Sequence, residues 1–372
     1  MSVMRIAVVG GSLAGLFTAT LLRQQGHDVM VYERSVHGLG GRGAGLLGKR
    51  ETFAILRASG CEHVARVGVV ARERIVFDGA DPPIVTQMPP QMQLSWDSIH
   101  RVFREHMTEG AYLLDRKVEQ LHEEADRVVI RFEDGSDASA DLVVGADGIA
   151  SVARRVVDGS SATNAYAGYV GWRGLLPELA LPNLAAEQLL DRFAYFRLPQ
   201  SHVIGFLVPG PNGETETGRR RYNWVWYRPA AGTSARDEVL TDREGRIHPY
   251  SLPPGALSEH ARERLVDDAR RLLPRPFAAA IEATAQPFVQ GIFDYESRRM
   301  VSRRITLVGD AAFVVRPHTG MGIAKAAADA MALQKHLSLA PLESALRDFG
   351  QEQVQAGRAI AASGRELGVH LM

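Results

Sequence analysis

The sequence predicts an α/β protein: a parallel sheet assembled from distant pieces of chain, an antiparallel β-rich insert, and a C-terminal helix. Three observations predict it. A strand, glycine turn, helix and strand open the chain. Two more apolar strands, each followed by an aspartate, lie far downstream. The stretch between those two is rich in aromatic residues at a period of two.

The opening unit runs Arg5-Ile-Ala-Val-Val9, Gly10-Gly-Ser-Leu-Ala-Gly15, a helical pattern through Leu16, Leu21 and Leu22, then Asp28-Val-Met-Val-Tyr32 and Glu33. Strands this evenly apolar suit a parallel sheet buried on both faces. Gly26 falls where a helix C-terminus takes a left-handed residue. The later strands are Asp141-Leu-Val-Val-Gly-Ala-Asp147-Gly148 and Ile305-Thr-Leu-Val-Gly-Asp310. After the second come Pro317, Gly320-Met321-Gly322 and an alanine-rich helix from about Ile323 to Leu337. Between them, Tyr166–Arg173, Phe193–Phe196, His202–Val208 and Tyr222–Tyr227 alternate as antiparallel strands do, with loops at Pro209–Gly213 and Pro253–Gly255. The expected organisation is a discontinuous Rossmann-like nucleotide-binding domain over 1–70, 97–160 and 290–340. A β-rich substrate domain takes 71–96 and 161–289, and a helical tail 341–372. The tail reads as a surface helix through Leu342, Leu346 and Phe349 with frayed last residues.

Composition narrows the function. The 372 residues hold 43 basic and 43 acidic side chains, so the formal charge is zero, which argues against nucleic acid or an acidic membrane as a partner. Cys61 stands alone, leaving no intramolecular disulfide and no cysteine-rich metal site, as expected in a reducing cytoplasm. The start is too short and too early in glycine for a secretory signal. No apolar run approaches the roughly 18–20 residues of a membrane span. A soluble, cytoplasmic protein with no metal is expected. Arginine can hold phosphates and carboxylates bidentately, but the 39 arginines against four lysines are spread along the whole chain and read rather as codon bias.

Gly10–Gly15 is a relative of the GxGxxG turn with Ser12 in place of the middle glycine. Gly10 permits the tight turn, Gly15 the close packing of helix on sheet, and the free N–H groups at Leu13 and Ala14 face a pyrophosphate. The Ser12 hydroxyl is a further donor to phosphate. Glu33, 18 residues after Gly15, sits where an acid accepts from ribose hydroxyls, with Arg34 beside it. NAD and FAD share this fingerprint. The segment Gly309–Gly322 separates them: a carboxylate at a strand end can bind a ribityl hydroxyl. The following helix N-terminus faces developing negative charge, such as a reduced flavin carries.

The three motifs resemble those of the class A, single-component flavin-dependent aromatic hydroxylases of the para-hydroxybenzoate hydroxylase type. The likeness runs from GxGxxG through Asp147-Gly-Ile-Ala-Ser-Val-Ala-Arg154 to Gly309–Gly322 and covers essentially the whole chain. It implies an FAD-binding Rossmann-like domain in which Asp310 holds the ribityl chain. It also implies that Asp147, Gly148 and Arg154 serve FAD and NAD(P)H, and that Pro317 packs beside the isoalloxazine ahead of Gly320, Met321 and Gly322. Within the family the chain is most similar to the dihydroxypyridine hydroxylase branch. The marks are Gly10-Gly-Ser12, Gly41-Arg-Gly-Ala-Gly45, Trp96-Asp-Ser-Ile99, Tyr166–Arg173 and Lys325–Asp329. Trp96 stands where many relatives carry an FAD-contacting arginine, so by this likeness that contact is either lost or supplied by Arg42. Phe313 stands where histidine is common.

The resemblance implies a monooxygenase that uses FAD, NADH or NADPH, and O₂. The reactive oxygen is that of a flavin C4a-hydroperoxide, passed to a small electron-rich aromatic or heteroaromatic ring, hydroxypyridine-like or phenolic. The flavin would swing outward past Gly41–Gly45 to meet the nicotinamide. Homodimers are frequent among such enzymes. Deprotonating the ring calls for a base or relay, for which the candidates are His318, His202 and Tyr222. His202, Tyr222, Trp224 and Pro317 are the candidate walls of the ring pocket, against core packing for Trp224 and Trp226. Arg173 and Arg221 are candidates for holding a carboxylate, against plain surface arginines. Three alternatives stay open. One is a flavin reductase or oxidase without ring hydroxylation, and another a redox sensor. The third is a halogenase, whose WxWxIP motif Asn223–Pro229 resembles, with Arg228 in place of isoleucine and Lys49 as the only early lysine.

Overall fold

The computed structural model describes residues 3–40, 45–65, 68–78, 83–159 and 162–371. Arg42 and the rest of 41–44 lie outside the described residues. A five-stranded parallel sheet is ordered Ile305–Leu307, Leu142–Gly145, Arg5–Val9, Asp28–Tyr32, Tyr112–Leu113. Ile6, Ala7, Val8 and Val9 are all buried, which is why the first strand reads as an unbroken apolar run. In register, Val9 lies beside both Gly145 and Tyr32, and Gly145 beside Leu307. The residues that follow these ends, Gly10, Glu33, Asp147 and Asp310, therefore gather at the carboxyl edge of one sheet, where open α/β sheets bind ligands.

The second sheet has ten strands. Its path runs Ser251–Leu252, Phe288–Glu296, Ala165–Pro177, Arg221–Pro229, Ser201–Val208, Arg192–Leu198, Val69–Phe77, Ile84–Ser95, Gly45–Leu47, and Phe313–Val314 pairs with Phe288–Glu296. One pair departs from the antiparallel expectation: Arg192–Leu198 runs parallel to Val69–Phe77. Phe288–Glu296 also runs straight through position 290, so that expected boundary falls inside a strand. Alternation gives the sheet two faces. One carries Tyr222, Trp224 and Trp226 and is covered by helices Asn183–Leu189, Glu259–Leu272 and Arg275–Glu282. The other carries Tyr169, Arg173, Ile204, Asn223, Val225 and Tyr227. A small third sheet pairs Val118–Glu123, Val128–Phe132 and Asp137–Ala140.

The tail corrects its sequence reading. Leu342–Leu371 is a continuous helix of 30 residues with Leu346 and Phe349 buried. Gly350, Gly357, Gly364 and Gly368 line the face laid on Val301, Phe313 and Arg316; a Cβ at Gly357 would lie 2.5 Å from the Phe313 ring. Its end is engaged rather than frayed: Arg365 pairs with Glu296, and Arg197 donates to the His370 carbonyl. Phe313, the departure from the family pattern, fills the notch that Gly357 leaves.

Candidate active site

The fingerprint turn is held by exclusion. Gly10 has φ +106°, and a Cβ there would sit 2.4 Å from the Ala146 carbonyl oxygen; at Gly15 a Cβ would come within 1.9 Å of the Gly10 oxygen. Gly11 is clamped through both of its backbone polar groups. Its N–H donates to Glu33 Oε2 at 2.8 Å, and its carbonyl accepts from the Tyr112 hydroxyl and from His100 Nε2, each at 3.1 Å. Ser12 occupies the cap position of helix Leu13–Gln24, yet its side chain makes no capping bond and the first turn holds no acid. The same is true at Met321, ahead of helix Gly322–Leu339. Ser95, Ser151 and Ser258, by contrast, each cap their own helix. Two helix starts thus keep free N–H groups where an anion can meet them.

Both starts open into one cleft with two compartments. The larger, about 750 Å³, is bordered by Gly10, Ser12, Glu33, Arg34, Asp147 and Gly148, with Arg155 adding positive charge and Arg116 and Lys117 paired with Asp134 and Glu133 at its rim. The smaller, about 360 Å³, is an arm bordered by Leu47, Ile204, Phe206, Val225, Ile292 and Pro317, together with Gly320 and Gly322. Arg173, Gln290 and Asp310 border both. Asp147 steadies its own loop: it accepts from the Ser151 hydroxyl at 2.5 Å and the Val152 N–H at 2.6 Å. Leu13 is buried and the Ala14 methyl lies toward Gly309, and neither residue borders either compartment. Met321 likewise donates its N–H to Thr319 Oγ1 at 3.2 Å, and its side chain does not border the arm. The free donors and positive charge at one end, the acids at the strand ends, and the narrow apolar arm together fit a dinucleotide such as FAD.

Arg154 requires a correction. Its guanidinium is buried and reaches the carbonyls of Ala311, Ile149, Gly148 and Asp310 and the Asn164 side chain, with Tyr295 stacked 3.9 Å away. These five bonds use all its N–H donors, so none is left for a cofactor. Arg154 ties the Gly148 and Asp310 loops together. Trp96 borders the larger compartment and lies flat on His100, with ring centroids 4.6 Å apart.

Tyr222 and Trp224 require another. Both are fully buried on the sheet face away from the arm, and Trp224 Nε1 donates to Thr284 at 2.9 Å. The Tyr222 hydroxyl has no partner among the described residues. Tyr222→Phe should therefore leave kcat/KM within about twofold of wild type and cost no stability, since it removes an unsatisfied buried group. Steady-state kinetics with a urea titration checks this; a tenfold loss of kcat would return Tyr222 to the reaction.

His318 and His202 do come together, behind the arm rather than in it. The Tyr169 hydroxyl lies 2.7 Å from His318 Nε2, His202 stacks on Tyr227 at 4.7 Å, and the two imidazole centroids are 5.2 Å apart. Tyr227 borders the arm and forms the wall between. Burial pushes the His202 imidazole down to about 4, which the Leu371 backbone only partly offsets. Burial, helped by His202 and Arg316, pushes His318 to about 3. Both rings are neutral at pH 7. The unfolded chain, with imidazoles near 6.5, takes up protons that the folded one refuses. Stability should fall as pH drops from about 6.5 toward 4, by about 1.4 kcal/mol per pH unit for each imidazole. Urea midpoints against pH should show this limb, and His202→Leu should flatten it; an unchanged limb would contradict the burial.

Arg221 is committed to structure, donating to Asp97 at 3.1 Å and Ser95 at 3.0 Å. Arg173, its fellow candidate, reaches the cleft. Sequence reasoning missed Asn223, although counting by two from Val225 would have put it on the same face. The i, i+4 spacing of Lys325 and Asp329 also signals a pair, which forms at 2.6 Å beneath the Gly309 turn.

Residues 166–294 match a family model described as FAD binding domain-like, and residues 8–46 one for an NAD(P)-binding Rossmann-like domain. Among curated proteins, the chain is 34% identical to 2,6-dihydroxypyridine 3-monooxygenase of Paenarthrobacter nicotinovorans, over 95% of this chain and 88% of that one. It is 29% identical to 3-amino-4-hydroxybenzoate 2-monooxygenase of Streptomyces cremeus, over 91% and 79%. Among solved structures, 2,6-dihydroxypyridine-3-hydroxylase from Arthrobacter nicotinovorans superposes with a TM-score of 0.92 at 32% identity. That match covers 100% of this chain and 93% of the other.

Proposed function

The chain belongs to the FAD-dependent aromatic-ring monooxygenases, and from that membership we propose that its substrate is a small hydroxylated pyridine, with a phenol as second choice. The observation behind this reading is the continuity of the cleft: a compartment with dinucleotide-binding features opens, at Asp310, into an apolar arm the size of a small ring. Its volume is near the lower end of ligand pockets, roughly 300–1,000 Å³. FAD, when bound and reduced by NADH or NADPH, would activate O₂, one atom of which goes to the ring while the other leaves as water.

The chain's own residues supply the rest. Gly10, Ser12 and the free N–H groups after them would hold the pyrophosphate, Glu33 the ribose and Asp310 the ribityl chain. The N-terminus of Gly322–Leu339 would favour negative charge on the reduced ring system. Ile204, Phe206, Val225 and Pro317 would orient the substrate ring and exclude water, so that activated oxygen is not lost. His318 and His202 remain the proposed proton-handling pair, reached through Tyr227. A homodimer and a cytoplasmic location belong to the same proposal, the first readable by light scattering. Among the described residues, no helix is long and apolar enough to cross a membrane.

The test is NADH and NADPH oxidation by FAD-loaded protein in air, with and without hydroxylated pyridines, phenols and benzoates, and mass spectrometry of the products. A pyridine diol should stimulate oxidation and return one oxygen atom heavier. Stimulation by every ring without a heavier product would mean a reductase and overturn the proposal.

A further inference from the structure

We infer that Arg173 and the side-chain amide of Asn223 form an anion-reading end of the ring arm, so that the enzyme takes its ring as an oxyanion in preference to a neutral arene. The inference rests on the arm being the ring site. Arg173 borders both compartments, yet it makes no hydrogen bond or ion pair with any described residue, and its Nε is buried without an acceptor. Other arginines of the same sheet region are matched: Arg220 with Glu178, Arg221 with Asp97, Arg228 with Asp268. Asp310, the one carboxylate bordering the arm among the described residues, forms no ion pair with Arg173. A guanidinium left without a counter-charge in a cleft favours any ligand that brings one.

Asn223 points to the same ligand independently. It is 1% exposed and borders the arm. Its Oδ1 accepts the Gly45 N–H at 3.1 Å, which fixes the amide, and Nδ2 has no partner among the described residues. Buried amide N–H groups are rarely left unpaired. In the strand pairing, Arg173 faces Val225 and Leu175 faces Asn223, so Arg173 and Asn223 are diagonal neighbours on one face of the sheet. Such positions lie roughly 7–8 Å apart, close enough for both donors to reach one edge of a six-membered ring. Both can only donate toward it, and one is charged. The matching group is an oxygen carrying negative charge, either a deprotonated ring hydroxyl or a carboxylate on the ring. A ring bound as its oxyanion arrives already electron-rich, which lightens the demand on His202 and His318 as bases.

The experiment uses FAD-loaded wild type, Arg173→Gln and Asn223→Asp, with dissociation constants by calorimetry. The probes are two matched pairs: 2,6-dihydroxypyridine against 2,6-dimethoxypyridine, and 3-hydroxybenzoate against 3-hydroxybenzamide. Wild type should prefer the anionic member of at least one pair by tenfold or more. Arg173→Gln should lose about 10- to 100-fold for that member and no more than about twofold for its neutral partner. Asn223→Asp, which puts like charge at the site while still accepting from Gly45, should weaken the same member. FAD retention should be unchanged in both variants. The pair whose discrimination collapses says whether a ring oxyanion or a carboxylate is read. Equal losses for both members, a wild type without preference, or loss of FAD instead of ligand would overturn the inference; the last would assign Arg173 to the cofactor. Failure of the hydroxylation reading looks different, with ligand discrimination intact and no heavier product formed.

Discussion

Gly15→Leu should purify without FAD. A Cβ at this position would lie 1.9 Å from the Gly10 carbonyl oxygen and 3.2 Å from a Val8 methyl. The first contact is with backbone, which cannot rotate out of the way, so helix Leu13–Gln24 must lift from the strand that precedes it. Lifting it moves the uncapped N–H groups that make the anion site and strains the Gly11 clamp to Glu33. Overpacking of this kind costs roughly 1–3 kcal/mol in a core that can relax, and this site has little room to do so. FAD affinity should fall at least about 100-fold, because several bonds to the pyrophosphate are misaligned at once. The flavin-to-protein absorbance ratio after gel filtration reads the loss, and circular dichroism shows whether the fold persists. Asp310→Ala should give a milder loss, since it removes a single side chain that stands open to the cleft. Wild-type flavin content in Gly15→Leu would mean that the turn does not bind the cofactor.

The parallel core was legible because burial on both faces leaves one kind of sequence. Ile6 to Val9 and Leu142 to Val144 carry almost nothing but aliphatic residues, and the acids and glycines after them mark where the sheet stops. The insert was legible as strands but not as faces. Alternation separates Tyr222, Trp224 and Trp226 from Asn223, Val225 and Tyr227 without saying which set meets the ligand. The largest aromatic rings went to the core because three helices had to be seated on that side. Those helices were hidden for their own reason: Glu259–Leu272 is dominated by arginine and acids, with Leu265, Val266 and Ala269 as its buried stripe. In the tail, glycines at 350, 357 and 364 read as weak helix formers. Their spacing of two turns is instead a contact face against Val301, Phe313 and Arg316. Arg154 was misread because a motif names a residue type and not the direction of its guanidinium.

Asp329→Ala should be among the most destabilising single changes away from the cleft. Lys325 and Asp329 are 3% and 1% exposed and paired at 2.6 Å, one helical turn apart. Among the described residues, removing the carboxylate leaves the buried ammonium with the Gly309 carbonyl, 3.3 Å away, the face of Phe313 and the more distant charge of Asp310. Breaking one side of such a pair typically costs about 3–5 kcal/mol. Glu133→Ala, which breaks the exposed pair with Lys117, should cost under about 1 kcal/mol and serves as the control. Urea unfolding at matched FAD content reads both; equal losses would mean the buried pair contributes no more than a surface one. The double replacement Lys325→Met with Asp329→Leu separates two roles. Apolar side chains of similar volume can restore much of the stability, but they cannot replace the bond from the Gly309 N–H to Asp329 Oδ2 at 2.8 Å. Gly309 precedes Asp310 at the junction of the two compartments, and with φ at +59° its turn depends on being held from below. Stability regained without FAD affinity would identify the pair as the device that aims Asp310. Both regained together would make it only a core element that an apolar pair can replace.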